Sequence, residues 1–449
     1  MGKFLDVLVI EKTEGSLMNI LDFGAIPDGE TLATKEIQAA IDAAQGADKQ
    51  VVIPKGKYLV GSLFLKEGTH LYFEKGATLI GSTDLKDYPL IDTRVAGVEM
   101  KWPAAILNVL DTKEVLIDGP GQINGNGSFG WNLYWGPDGK SGQRKIYDAK
   151  NLRWIVDYAV QRPREILVYK SRSIKISDLN LTYSGFWNLQ ITYCQQIEIN
   201  NIMVNHSNGP STDGIDVDSS HHVRIHDCEL SCGDDCIALK SGRDGDGKRV
   251  GLATHDVEID HCTILSGYGV TIGSEVSGNV YGIRIHDMLF HNTGCGIRMK
   301  SSEERGGIIE DVVAENLKME NVQFPFSWLL NWHRAYNMKD FTSSNYVDFP
   351  DYWKAVAAEI PEIEQKTKVR NIHIRNVVVS LSTDYVGSSR AFDLKAFVEK
   401  PMEDIHFENV SLSANEFGNI IAVDDLKFDN VEISVQHDNF SQNDSYDNR

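Results

Sequence analysis

One order of positions returns nine times along the chain: apolar, any, apolar, two turn-like residues, apolar, any, apolar. It runs from Ile174/Ile176/Leu179/Leu181 and Ile197/Ile199/Ile202/Val204, through copies starting at Val223, Val257, Ile283, Val312, Ile372 and Ile405, to Leu426/Phe428/Val431/Ile433. Each alternating half predicts a strand with one buried face. The two-residue interruption breaks the period, so the chain must turn there. Its second residue is Asp178, Asn201, Asp227, His261, Asp287, Asn316, Asn376, Asn409 or Asn430. Asn and Asp tolerate the left-handed conformation better than other non-glycine residues. Strand, sharp bend and strand, stacked at about 4.8 Å per coil, make an all-β parallel solenoid. A leucine-rich horseshoe would need a helical half in each repeat, and a propeller blades of about 40–45 residues.

Ahead of the repeats, Ile37, Ala40, Ile41 and Ala44 form one helical stripe behind Thr34, the expected N-cap. Such a helix would close the solenoid, whose open end exposes core and unpaired strand edges. The organisation expected is a single β-helix domain over 1–436, with cap and first coil in 1–50 and a polar, disordered tail over 437–449. Two tryptophan-bearing stretches, 93–162 and 323–368, read as loop insertions around a cleft.

Charge narrows the partners. With 44 Lys and Arg against 64 Asp and Glu, the 449-residue chain carries −20. Nucleic acid is an unsuitable partner, because no basic excess is available to displace counterions from phosphates. A polyanionic substrate would have to be held by a local basic patch. No run of about 18 apolar residues suggests a membrane span. The apolar stretch Val7 to Ile10 is short for a secretory leader, and Asp6 stands where myristoylation at Gly2 would need Ser or Thr. A cytoplasmic protein is the expectation. Six cysteines, all between Cys194 and Cys295, read as buried free thiols rather than a disulfide framework.

The chemistry gathers where consecutive repeats leave their second strand: Ser211-Thr212-Asp213, Gly233-Asp234-Asp235, Gly267-Tyr268-Gly269 and Arg298-Met299-Lys300. Stacked coils place equivalent positions in a column, so Asp213, Asp234, Asp235, Tyr268, Arg298 and Lys300 should be neighbours. Crowded carboxylates push at least one pKa upward, leaving a protonated acid beside ionised bases. Glycosidic cleavage uses that pair: one group protonates the leaving oxygen and another activates water. Turn chemistry or a calcium site is the alternative reading of the aspartates. For Arg298 and Lys300, which alternate on one strand, the alternatives are a solvated edge or a bidentate grip on a sugar carboxylate.

At these motifs the sequence resembles the polygalacturonase-type glycoside hydrolases of family 28. Phe23-Gly24-Ala25, Pro54-Lys55-Gly56-Lys57-Tyr58 and Ser184-Gly185-Phe186-Trp187 extend the likeness over nearly the whole chain. The resemblance implies a single-stranded right-handed parallel β-helix and inverting hydrolysis, with neither cofactor nor metal. It implies Asp234 as general acid, Asp213 and Asp235 holding the attacking water, and Arg298 and Lys300 binding a galacturonate carboxylate. Four motif positions depart from the family pattern: Gly185 stands for Pro, Ser211 for the Asn of an Asn-Thr-Asp motif, Met299 for the Ile of an Arg-Ile-Lys motif, and Tyr268 for the His of a Gly-His-Gly motif. Tyr268 is read as a substrate-contacting residue. Arg243 to Gly251 and Gly273-Ser274-Glu275 resemble exo-acting bacterial members, so the expected substrate is a galacturonate-containing pectic oligosaccharide. Hydrolysis of rhamnogalacturonan or another decorated pectin, lyase-type β-elimination and non-catalytic sugar binding are the competing readings.

Overall fold

The computed structural model describes residues 16–45, 49–339 and 350–436. Gly2, Asp6, the stretch Val7 to Ile10 and the 437–449 tail lie outside the described residues. The strands stack into three parallel ladders. One ladder carries the first half of each repeat, including Arg172–Ser177, Gln195–Asn200 and His221–His226. A second carries the other half, and a third runs Leu107–Leu110, Ile166–Tyr169, Leu189–Thr192, Ile215–Asp218, Ile237–Lys240, Val270–Gly273, Cys295–Lys300 and Phe324–Leu329. The coil is a right-handed parallel β-helix with an N-terminal helix, the hand expected when twisted parallel strands are joined by crossovers.

The pattern in the sequence is the pairing register itself. Ile174 pairs Ile197, Ile197 pairs Val223, Val223 pairs Val257, and so on to Ile405 opposite Leu426. All nine bend residues from Asp178 to Asn430 have positive φ. Their side chains form a ladder of their own: Asn201 Nδ2 donates to Asp178 Oδ1 at 2.7 Å, and Asn430 Nδ2 to Asn409 Oδ1 at 2.8 Å. A second column of positive φ precedes the first apolar position of each repeat, at Ser173, Gln196, His222, Asp256, Gly282, Asp311, Asn371, Asp404 and Asp425.

The cap helix is Thr34–Ala44, and its four stripe residues are all buried. Thr34 is its first helical residue rather than its N-cap. The hydroxyl instead accepts from Gly61 N at 2.9 Å, fastening the helix to the first coil.

Neither tryptophan-bearing stretch is a single insertion. Within 93–162, Leu107–Leu110, Lys113–Asp118 and Gln122–Asn124 are rungs of the three ladders. The true excursions are the antiparallel hairpin Leu90–Val95/Val98–Pro103 and the helical segment around Ser128–Trp135 and Val156–Ala159. Within 323–368, Phe324–Leu329 is likewise a rung, and Trp328 is core, stacked on Phe407. The excursions meet each other: Trp154 packs edge-on against Trp353 at 5.8 Å, in a cluster with Trp102, Tyr158, Phe186 and Trp187. Among the described residues no helix is long and apolar enough to cross a membrane. All six cysteines are buried and free.

Candidate active site

The third ladder forms a groove floor. Alternation sends Ile215, Val217, Ile237, Leu239, Ile297 and Met299 into the core, so Asp216, Lys240, Thr271, Arg298 and Lys300 face outward. Register aligns Thr271 with Arg298 and Gly273 with Lys300. The turns entering this ladder bring in the aspartates. Asp213 is fixed by its own carbonyl, which accepts from Asn188 N at 2.9 Å and Asn188 Nδ2 at 2.8 Å. Gly214 N donates to Asp235 O at 2.9 Å, tying that turn to the next coil. Gly267 and Gly269 hold Tyr268 between two residues of positive φ. A Cβ on Gly269 would lie 2.1 Å from Gly296 O, so the close approach of the coils also requires glycine there.

The structure brings the six sequence-derived residues together. Asp213, Asp234 and Asp235 each offer an oxygen within 4.8 Å of the others. Asp235 is fully buried. Its Oδ1 accepts from Arg298 Nη1 at 3.0 Å and from Thr271 Oγ1 at 2.8 Å, and its Oδ2 from Lys300 Nζ at 2.6 Å. Arg298 lies over the Tyr268 ring at 4.5 Å and the Trp332 ring at 5.5 Å, and Lys300 is 4.5 Å from the latter. Tyr268 is therefore a platform for Arg298. Its face sets the guanidinium that holds Asp235.

The neighbouring aspartates are driven apart. Burial alone would raise the Asp235 carboxyl, but Lys300 and Arg298 outweigh it and hold it below the usual carboxylate range. Burial, and then the Asp235 charge, raise Asp234 above that range despite Lys300 and Arg298. Burial, with Asp216 and Asp234, also raises Asp213. Burial and the Asp234 charge push the Tyr268 hydroxyl up, so it stays a neutral phenol.

The donor set does not suit a calcium ion. Asp235 already accepts three hydrogen bonds, two from cations, and an added divalent cation would have to displace both.

Sequence reasoning missed Lys240, Thr271, Trp332 and Arg153 as site residues, and gave Glu275 only as part of a motif, with no place in the site. Lys240 lies two residues beyond Ala238 on the same outward face, so strict alternation from Ile237 would have found it. Arg153, Tyr336 and Ala96 come from the excursions and line the same pocket as Asp213, Asp234 and Lys300. No repeat position points to them.

Comparison with known proteins places the chain. Residues 44–328 match the description of Glycosyl hydrolases family 28. A "Probable polygalacturonase" of Vitis vinifera is 31 % identical over 324 residues; the match covers 69 % of this chain and 62 % of that protein, so the chain spans less than two thirds of this relative. An "Exo-poly-alpha-D-galacturonosidase" of Dickeya chrysanthemi is 23 % identical, over 93 % of this chain and 71 % of that protein. Among solved structures, an exopolygalacturonase from Thermotoga maritima superposes with a TM-score of 0.72 at 23 % identity, covering 93 % of this chain and 91 % of that one. A family 28 exopolygalacturonase from Yersinia enterocolitica gives 0.73 at 21 % identity, covering 95 % and 79 %. With more than half its length matched by the family description, the chain belongs to glycoside hydrolase family 28.

Proposed function

We propose that this protein is an inverting hydrolase that removes galacturonic acid from the end of pectic oligosaccharides. The observation that carries the proposal is the split between adjacent residues: Asp234 is raised, Asp235 is lowered, and both lie within 4.8 Å of Asp213. A protonated carboxyl beside an ionised one is the arrangement that acid-assisted glycoside hydrolysis requires.

Asp234 donates its proton to the glycosidic oxygen. Water held by Asp213 and Asp235 attacks the anomeric carbon and loses a proton to them. Asp235 serves better as a holder of water than as a nucleophile, because its oxygens already accept three hydrogen bonds. The nearest-oxygen separations are shorter than the carboxyl spacing of either glycosidase class, so the inverting outcome is argued from this occupancy rather than from distance. Arg298 spends Nη1 on Asp235 and offers the rest of its fork to a uronate carboxylate, with Lys300 beside it. End-directed action is supported by the excursions that wall the pocket, through Ala96, Arg153 and Tyr336, and by the exo-acting relatives.

A second reading, hydrolysis of a decorated pectin with a neutral sugar at that subsite, is favoured by one fact. Both cations already have a carboxylate partner in Asp235. The test is product analysis on defined oligosaccharides, with the first-formed anomer read by proton NMR. Monomeric galacturonate of inverted configuration is expected. An ultraviolet-absorbing unsaturated product would mean β-elimination, and a retained anomer would make one aspartate a nucleophile.

A further inference from the structure

Lys240 ends the strand Ile237–Lys240 and is 3 % exposed. Its ammonium lies 3.6 Å from Asp213 Oδ2, 3.5 Å from Asp216 Oδ1 and 3.4 Å from Glu275 Oε2. It donates to the Gly273 carbonyl at 3.3 Å and sits 5.0 Å from the Trp187 ring centroid. Burial works against its charge, but Glu275, Asp216 and Asp213 outweigh it and hold it well above the ordinary lysine range. A buried ammonium surrounded in this way is costly unless its carboxylates stay ionised. Glu275 does: it has a second cation in Arg305 at 3.5 Å, and its carboxyl is held at about 2, burial being outweighed by Lys240 and Arg305. Asp216 and Asp213 are left to share Lys240. Both Asp216 oxygens are sealed from solvent and accept no hydrogen bond among the described residues, whereas Asp213 lines the pocket, so Asp216 is the member of this pair best suited to keep a proton.

The other charged groups facing Asp213 are Asp216 on its own coil, Asp234 and Asp235 on the next, and Arg162. Arg162 is committed elsewhere, donating to the Pro210 carbonyl and lying 3.9 Å from Asp157. Lys240 is the one cation within ion-pair distance of Asp213 among the described residues.

We propose that Lys240 is a positioning residue for the hydrolysis: its ammonium favours the ionised form of Asp213 against the surrounding carboxyl groups and aims it at the attacking water, while Asp216 carries the proton. The proposal rests on Asp213 being a water-holding base. Lys240 then sets the acid limb of the reaction. Removing the ammonium should raise the Asp213 pKa by about 1–3 units, the range for an opposite charge at this distance.

A purely structural role for Lys240 would be to neutralise Asp216, and a compensated double variant separates the two. Lys240→Met with Asp216→Asn removes the ammonium and puts a neutral amide where the protonated Asp216 carboxyl stood, so no buried charge is left for a structural partner and Asp213 alone answers to the lost cation. Asp213 would be titrated by carboxyl carbon NMR on aspartate-labelled protein, its signal assigned with Asp213→Asn. This reading needs no turnover. The kcat/KM profile on a galacturonate oligosaccharide gives the second readout. In the double variant, the expected result is an Asp213 midpoint and an acid limb both moved up by a unit or more, with activity recovering at higher pH. Lys240→Arg, which keeps the charge, should leave the limb near its wild-type position.

Unchanged titration and an unchanged limb in the folded double variant would overturn the proposal. Asp216→Asn alone gives an independent check should the double variant not fold. Because Asp216 already carries a proton, the amide changes no charge and the limb should stay near its wild-type position; a limb moved down by about a unit or more would show an ionised Asp216 and overturn the proposal. A wild-type protein that releases no sugar from any pectic oligosaccharide would instead refute the hydrolase reading, while the Asp213 titration still judges Lys240.

Discussion

Replacing Arg298 by Gln separates two duties that the structure gives to one guanidinium. The first is holding Asp235 through a 3.0 Å bond from Nη1. Coulomb's law at an effective dielectric of about 20 puts the bare pair near 5–6 kcal/mol at that distance. This is an upper bound, since Lys300 at 2.6 Å and Thr271 at 2.8 Å remain. A hydrogen bond to a charged group contributes about 1.5–3 kcal/mol. With two donors left, the lower half of that range is expected, a loss of roughly tenfold to fortyfold in kcat/KM. This loss should fall equally on every substrate, and the acid limb should move up as Asp235 becomes easier to protonate. The second duty, gripping a uronate carboxylate, adds about another 1.5 kcal/mol or more, a further tenfold loss that a methyl ester escapes. The assay compares kcat/KM of wild type and Arg298→Gln on galacturonate and methyl-esterified oligosaccharides of equal length. No loss on the ester would refute the support of Asp235. Equal losses on both would show that Arg298 does not read the carboxylate, and the decorated-pectin reading would then lead.

Asp234→Asn should lower kcat by about a thousandfold or more while leaving KM nearly unchanged, since the amide keeps the shape but cannot donate the proton; a raised KM at unchanged kcat would contradict the acid role. Gly269→Ala would set a Cβ 2.1 Å from the Gly296 carbonyl at a φ of +67°, so the melting temperature should fall by several degrees, reflecting a destabilisation of roughly 1–3 kcal/mol, and a wild-type melting curve would refute this packing. Thiol titration of the denatured, unreduced protein should find all six cysteines, and finding none would contradict the free-thiol assignment.

The repeat was legible because a solenoid repeats its geometry. Each buried pair and each bend residue occurs once per coil, so side-chain type and backbone conformation coincide nine times. The second bend column is not legible in the sequence because its positions hold Ser, Gln, His, Asp, Gly and Asn, and no single residue type marks it. The coil at 107–124 does not fit the repeat pattern because Gly119-Pro120-Gly121 between its strands make a corner longer than the two-residue bend elsewhere. Tryptophan content misled for a related reason. Trp328 and Trp102 are fully buried, whereas Trp332 meets the site cations, and composition cannot distinguish a core ring from a cleft ring. The site residues on the ladder followed from register. Those on the excursions, such as Arg153, follow from tertiary contacts that no periodicity encodes.

The charge balance of the site leads to a last expectation. Asp213, Asp216, Asp234, Asp235 and Glu275 face Lys240, Arg298, Lys300 and Arg305, so the free site carries more carboxyl groups than cations. A uronate docking on Arg298 and Lys300 adds one more negative charge. It also screens the two cations that most oppose protonation of Asp234. The Asp234 pKa must therefore rise further in the complex. The general acid works while protonated, so activity is lost as pH rises through its pKa, and a raised pKa extends activity to higher pH. The alkaline limb of kcat, which reports the complex, should lie above that of kcat/KM, which reports the free enzyme. A separation of about one unit is expected for a charge brought to this distance, and a smaller one with a methyl ester. Both profiles can be taken from initial rates of reducing-end release between pH 4 and 9. Coincident alkaline limbs on the free acid would show that the substrate carboxylate does not reach these cations, and the proposed subsite would have to be moved elsewhere in the groove.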